Sequence, residues 1–190
     1  LLKKTTGMMT WLIPAAILAG LLVAWELWVQ LADVPKWQLP APSAIAKELN
    51  ASSDLLWTHT LVTLREIVVG FLAALIAGLF LAGAIAYSRV MERSVYPIVI
   101  ASQAVPVIAA APLLLIWVGY GLTPKIIVVA LICFYPIAVN TVDGLKATDP
   151  DMVNMLRTLG ASRWQVFTKL QIPTALPFMF SGIKIGASVS

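Results

Sequence analysis

Four stretches of the chain run without a charged side chain: Thr5–Trp25, Ile67–Ser88, Ser94–Pro124 and Ile126–Val142. Three of them reach the ~20 residues that a helix needs to cross the hydrocarbon of a bilayer, and the last is a little shorter. A fifth apolar stretch starts near Thr174 and is interrupted by Lys184. The pattern predicts a first span over residues 11–31, followed by a polar loop over 32–65. That loop has turns at Pro35 and Pro40–Pro42 and a short helix starting at Ser43. A longer helix is expected to begin near Ser53 and to run into the second span. Small residues recur there every fourth position, at Gly70, Ala74, Gly78, Ala82 and Ala86. Such a stripe lets another helix backbone approach closely, so it reads as a packing face.

The third span contains Pro97, Pro106 and Pro112, with Ser102 and Gln103 between them. Proline is tolerated in lipid where neighbours satisfy the freed carbonyls. Two readings stand open here: a broken helix lining a transport path, or a kinked packing helix. A turn at Gly119–Pro124 leads to the fourth span, which carries Tyr135–Pro136 and Asn140 near its far end.

Residues 148–177 are the longest well-patterned polar segment. Asp149 is placed to cap a helix that Pro150 begins, and Asp151 adds a negative charge to its first turn. Gly160 falls where a left-handed C-terminal cap is wanted, so a helix over about 150–159 is predicted. Ser162 and Gln165 have capping-box spacing for a second helix, which Pro173 is expected to close. Two short helices hinged at Gly160 would stand off the bilayer. By themselves they fit two roles equally, docking to a soluble partner or resting on anionic headgroups.

Composition agrees with the spans: 60% of residues are apolar, 12% are charged and the mean hydropathy is +0.91. A soluble domain of this length has no interior large enough for that much apolar surface. The first stretch is read as a retained span, because its apolar run is too long for a secretory leader and no cleavage site follows it. With the N-terminus in the cytoplasm, Lys3, Lys4, Arg89, Arg93, Lys146, Arg157, Arg163 and Lys169 lie inside. Lys36, Lys47, Arg65 and Lys125 then lie outside, an asymmetry that favours this orientation. The net charge of +4 is therefore a topology signal. Membrane lipid is the expected surrounding and nucleic acid is not an expected partner.

Catalytic and metal chemistry find no residues. There is no phosphate-binding G-x-x-x-x-G-K-[ST] loop, no Ser/His/Asp set and no H-E-x-x-H. His59 has no second ligand near it in sequence, and Cys133, the one cysteine, reads as packing. Glu26 is the one acid inside a predicted span, where snorkelling or a local hydrogen bond explains it better than a pore.

Three segments carry a resemblance: LPAPSAIAKEL at 39–49, PVIAAAPLLLIWVGYGLTPKI at 106–126, and DPDMVNMLRTLGASRWQVFTKLQIPTALP at 149–177. With them the chain resembles the membrane permease subunit of binding-protein-dependent ABC importers. More narrowly it is similar to the group serving nitrate, alkanesulfonate, taurine, thiamine-precursor and riboflavin uptake. The resemblance implies an all-α integral membrane protein, a type I ABC importer permease-like helical bundle in the bacterial inner membrane. About five of the family's usual six spans are present in one permease domain over 1–190. The chain is thus expected either to be a fragment or to need help in closing the usual pore.

In that family the loop matching 149–173 is cytoplasmic and docks into the ATPase subunit. This implies docking roles for Leu159, Gly160, Ala161, Ser162, Arg163 and Trp164. The family's namesake Glu-Ala-Ala would fall at Asn154, Met155 and Leu156, which differ. The translocation path is expected along the third and fourth spans, at Gln103, Pro106, Pro112 and Asn140. Implied partners are the ATP-binding cassette ATPase, an extracytoplasmic solute-binding protein and a second permease copy or homologue. ATP and Mg are expected in the ATPase, with no cofactor in this chain. Residues 102–121 look closer to the vitamin and precursor branch, so riboflavin or a thiamine pyrimidine is the expected cargo, with alkanesulfonate, taurine or nitrate the alternative. A membrane enzyme or assembly factor recruiting a soluble protein through its loop is the rival from another class.

Overall fold

A computed structural model describes residues 5–190, and among them every regular element is helical. In chain order these are α1 (Thr5–Leu31), α2 (Pro42–Ala51), α3 (Ser53–Tyr87), α4 (Arg89–Ser102), α5 (Val107–Val118) and α6 (Leu122–Lys146). There follow α7 (Pro150–Thr158), α8 (Arg163–Val166), a π-helical segment (Phe167–Gln171) and α9 (Ile172–Val189). Four helical stretches are long and apolar enough to cross a membrane: Trp11–Leu31, Ser53–Tyr87, Leu122–Lys146 and Arg163–Val189. A shorter apolar helix covers Ala109–Val118. The predicted third span is thus split into α4 and α5.

The chain divides into two compact units, Leu1–Leu61 and Val62–Ser190. In the first, Glu26 of α1 accepts hydrogen bonds from the Ser43 backbone N–H at 2.9 Å and its hydroxyl at 2.6 Å, and another from Gln30. α2 starts at Pro42 with no side-chain cap of its own from Ala41. The Glu26 carboxylate therefore supplies both the missing acceptor and a charge suited to a helix N-terminus. The local hydrogen bond expected of Glu26 is what the structure contains.

In the second unit α6 lies between α3 and α9. The small-residue stripe of α3 faces it: Gly70, Ala74, Gly78 and Ala82 are all buried. A Cβ on Gly70 would stand 2.8 Å from the Ile126 carbonyl oxygen, and one on Gly78 would stand 3.0 Å from Ile137 Cγ2. From the other side Gly182 and Gly186 of α9 bring backbone against Pro136, Ile137 and Cys133. Cys133 is fully buried and its thiol donates to the Gly186 carbonyl at 3.3 Å, so it packs and bridges helices. Ala74, Cys133 and Ile137 form one core cluster, and Ala82, Ile85 and Val142 form the next along the helix.

The end of the polar segment corrects one expectation. Pro173 does not close the second loop helix, because α8 runs through the π-helical segment into α9 without a break. Within that segment the Ile172 N–H donates to the Phe167 carbonyl, five residues back. The wider turn shifts the hydrogen-bond frame by one residue just before the proline ring must be fitted, so the helix continues where a strict α pattern would clash.

Candidate functional site

Two features stand out in the second unit, an exposed capped loop and an open groove. The loop follows its local sequence chemistry closely. Asp149 Oδ1 accepts from the Asp151 N–H at 2.9 Å, and Pro150 begins α7. At the other end Gly160 has φ +84°, the left-handed conformation that glycine adopts at no steric cost. The Ala161 N–H donates to Leu156 O and the Gly160 N–H to Arg157 O, both at 3.0 Å, which satisfies the last carbonyls of α7. Ser162 Oγ accepts from the Gln165 N–H while Gln165 Oε1 accepts from the Ser162 N–H, completing the capping box.

Phe167 anchors the base of this loop. It is buried, meets Tyr87 of α3 edge to face at 6.0 Å between ring centroids, and has Trp164 at 5.8 Å. Above that anchor the surface is apolar and open. Met152 is 51% exposed, Met155 55%, Leu159 76% and Trp164 62%. Arg157, Arg163 and Lys169 are exposed beside them. An exposed apolar crest with charged flanks suits contact, either with a partner's cleft or with anionic lipid headgroups.

The groove forms where α4 gives way to α5. Gln103, Ala104 and Val105 donate to carbonyls three residues back, tightening the helix end, and Pro106 then starts α5. The residue before a proline is pushed towards extended backbone, so the break falls where the chain places its proline. Gln103, Pro106 and Asn140 line a groove of about 1010 Å3, together with Ser102, Tyr135 and side chains of α6 and α9. Pro112 lies on α5, exposed, and is not among the lining residues. The Asn140 side-chain amide donates to the Pro136 carbonyl at 2.7 Å. Pro136 in turn offers no N–H to the carbonyl of Ile132, another lining residue. Neither acid, lysine, arginine nor histidine lines this groove.

Residues 70–190, comprising the groove, the loop and the helices that hold them, match the family described as binding-protein-dependent transport system inner membrane component. The chain belongs to that family. Its relatives are permeases. A probable ABC transporter permease of Haemophilus influenzae is 37% identical over 93% of this chain and 72% of its own length. A riboflavin transport system permease of Chloroflexus aurantiacus is 41% identical over 90% of this chain and 64% of its own. A formylaminopyrimidine transport permease of Halalkalibacterium halodurans is 35% identical over 93% and 71%. Permeases for taurine, aliphatic sulfonates and nitrate match at 28 to 31% identity.

Sequence reasoning missed two polar sets on this permease fold. Glu66 of α3 is buried and paired with Lys125 at the start of α6, at 2.9 Å. The Glu66 carboxylate is thus buried, while the Lys125 side chain stays exposed. Glu92 of α4 pairs with Lys146 at 2.9 Å, and Lys146, by hydrogen bond and by charge, holds the Glu92 carboxyl below the usual carboxylate range. The available signal was a lysine at each end of the fourth span. Its partners lie 59 and 54 residues away in sequence, which no periodicity reveals.

Proposed function

We propose that this chain passes a small uncharged organic nutrient through the inner membrane as one half of an ATP-driven importer, with riboflavin or a thiamine pyrimidine precursor as the cargo. The observation that carries the reading is the groove at the α4–α5 break. The polar residues that line it are Gln103, Asn140, Tyr135 and Ser102, beside Phe134. Amide and hydroxyl groups next to aromatic rings suit a neutral heteroaromatic solute, whereas a sulfonate or nitrate ion would find no cation there. The riboflavin and pyrimidine permeases among the relatives support the same choice. A single set of helices does not enclose a polar solute, so a second copy or a homologue faces this one across a shared path. Hydrolysis of ATP with Mg belongs to a separate ATPase that receives the α7–α8 crest at Leu159–Trp164, and an extracytoplasmic binding protein delivers the solute.

Uptake into vesicles carrying the permease, its ATPase and its binding protein tests the cargo. Labelled riboflavin or formylaminopyrimidine is expected to accumulate on ATP addition and labelled taurine is not. Accumulation of taurine alone would reverse the choice.

The orientation follows the lysine and arginine asymmetry, with the N-terminus and the crest in the cytoplasm. In a Cys133→Ala background, Ser43→Cys and Gly121→Cys are expected to react with an impermeant thiol reagent on intact cells. Ser162→Cys is expected to react only after the cells are opened. Labelling of Ser162→Cys in intact cells inverts the topology.

A further inference from the structure

At the end of α6 that leads into α7, four polar side chains from two helices close on one another. Lys146 Nζ lies 2.9 Å from Glu92 Oε1 and 4.4 Å from the centroid of the Tyr96 ring. The Tyr96 hydroxyl donates to Asp143 Oδ1 at 2.8 Å. Glu92 and Tyr96 are one helical turn apart on α4, as are Asp143 and Lys146 on α6, so each pair shares a face. Among the described residues these are the only side-chain polar bridges between the two helices.

Both helices lead to a functional feature. Just beyond Lys146 the Ala147 N–H donates to Asp143 O at 2.8 Å, and the Thr148 hydroxyl donates to Leu145 O at 3.2 Å. Thr148 is buried, so the corner between α6 and α7 is braced, and α7 begins only two residues later. In the other direction α4 runs from the cluster to Ser102, where the break at Gln103–Pro106 lines the groove. The apolar contacts here, Met91 and Val95 of α4 against a cluster made by Ile85 of α3 and Val142 of α6, are non-directional and tolerate sliding. Charge-assisted and aromatic contacts at fixed distances set the register of α4 on α6 and resist it.

We propose that Glu92, Tyr96, Asp143 and Lys146 form a latch that makes α4 move with α7, so that displacement of the docked crest reaches the break at Gln103. The proposal rests on the reading of α7 and its turn as the ATPase-docking crest. The four are positioning residues: none lines the groove, and none belongs to the exposed crest.

The test uses the complete transporter with its ATPase, in a Cys133→Ala background, with one of two reporters. Met152→Cys on α7 reports docking, and Gln103→Cys reports the groove. Maleimide labelling is followed without nucleotide and after trapping with ATP and vanadate. In the parent protein trapping is expected to change Gln103→Cys labelling by about fivefold or more, within the range of ordinary site-to-site coupling. With Tyr96→Phe and Lys146→Met together, Met152→Cys is expected to remain shielded by the ATPase while Gln103→Cys no longer responds to nucleotide. A purely structural cluster would lower the melting temperature and leave that response intact. A preserved response in the double variant therefore overturns the latch, as does a parent protein whose Gln103→Cys ignores nucleotide. A Met152→Cys that the ATPase never shields overturns the docking reading instead.

Discussion

Gly160→Asp is expected to abolish capture of the ATPase and ATP-driven uptake while leaving the permease folded and inserted. The φ of +84° puts any side chain in the left-handed region, at a cost of about 1–2 kcal/mol. Within the chain that is the whole penalty, because nothing lies within 4 Å of where the Cβ would be. The melting temperature of the isolated permease should therefore fall only slightly, and equally for Gly160→Ala and Gly160→Asp. In the complex the open space is where the partner's surface would press, so the charged and larger side chain should weaken capture much more than alanine. A pull-down series of parent, alanine and aspartate variants reads this directly. Equal capture by all three would remove the turn from the interface.

Gly182→Leu should have the largest effect on stability. Even a Cβ there would stand 2.7 Å from the Pro136 carbonyl oxygen and 3.0 Å from Asn140 Cβ. That carbonyl is held by the Asn140 amide and belongs to helix backbone, so it has little room to yield. Overpacking of this kind typically costs about 1–3 kcal/mol, and a leucine that forces α6 and α9 apart should lie at the top of that range or beyond. The matched control is Gly20→Leu, on α1, where nothing lies within 4 Å of the added atom. Thermal unfolding of the two variants in detergent should separate them clearly, with Gly182→Leu also losing the groove that α6 and α9 share. Similar melting temperatures for both would show that the helices repack at no cost.

The features legible in the sequence were the ones set by neighbours along the chain. Length and hydropathy located the long apolar helices, since a helix satisfies its own backbone groups and needs only enough apolar residues to lie in lipid. The Asp149 cap, the Gly160 turn and the Ser162–Gln165 box depend on residues no more than five apart, and all three formed as expected. The break before Pro106 is local too, but the sequence left open whether that stretch would break or only kink.

Tertiary structure decided the rest, because an apolar helix in lipid is apolar on every side. In water, a polar stripe reveals which face of a helix is exposed; on a membrane helix that signal is weak. The stripe on α3 announced a close neighbour, but only the packed structure identifies it as α6. Bringing residues 102–106, 131–140 and 185–189 to one groove likewise requires helices distant in sequence to meet. The same holds for Glu66 with Lys125, and for Tyr96 and Glu92 with Asp143 and Lys146. Pro173 is the instructive failure. The local rule ended a helix there, whereas the chain widened one turn and kept α8 continuous with α9, whose Ala175 and Gly182 are buried in the second unit.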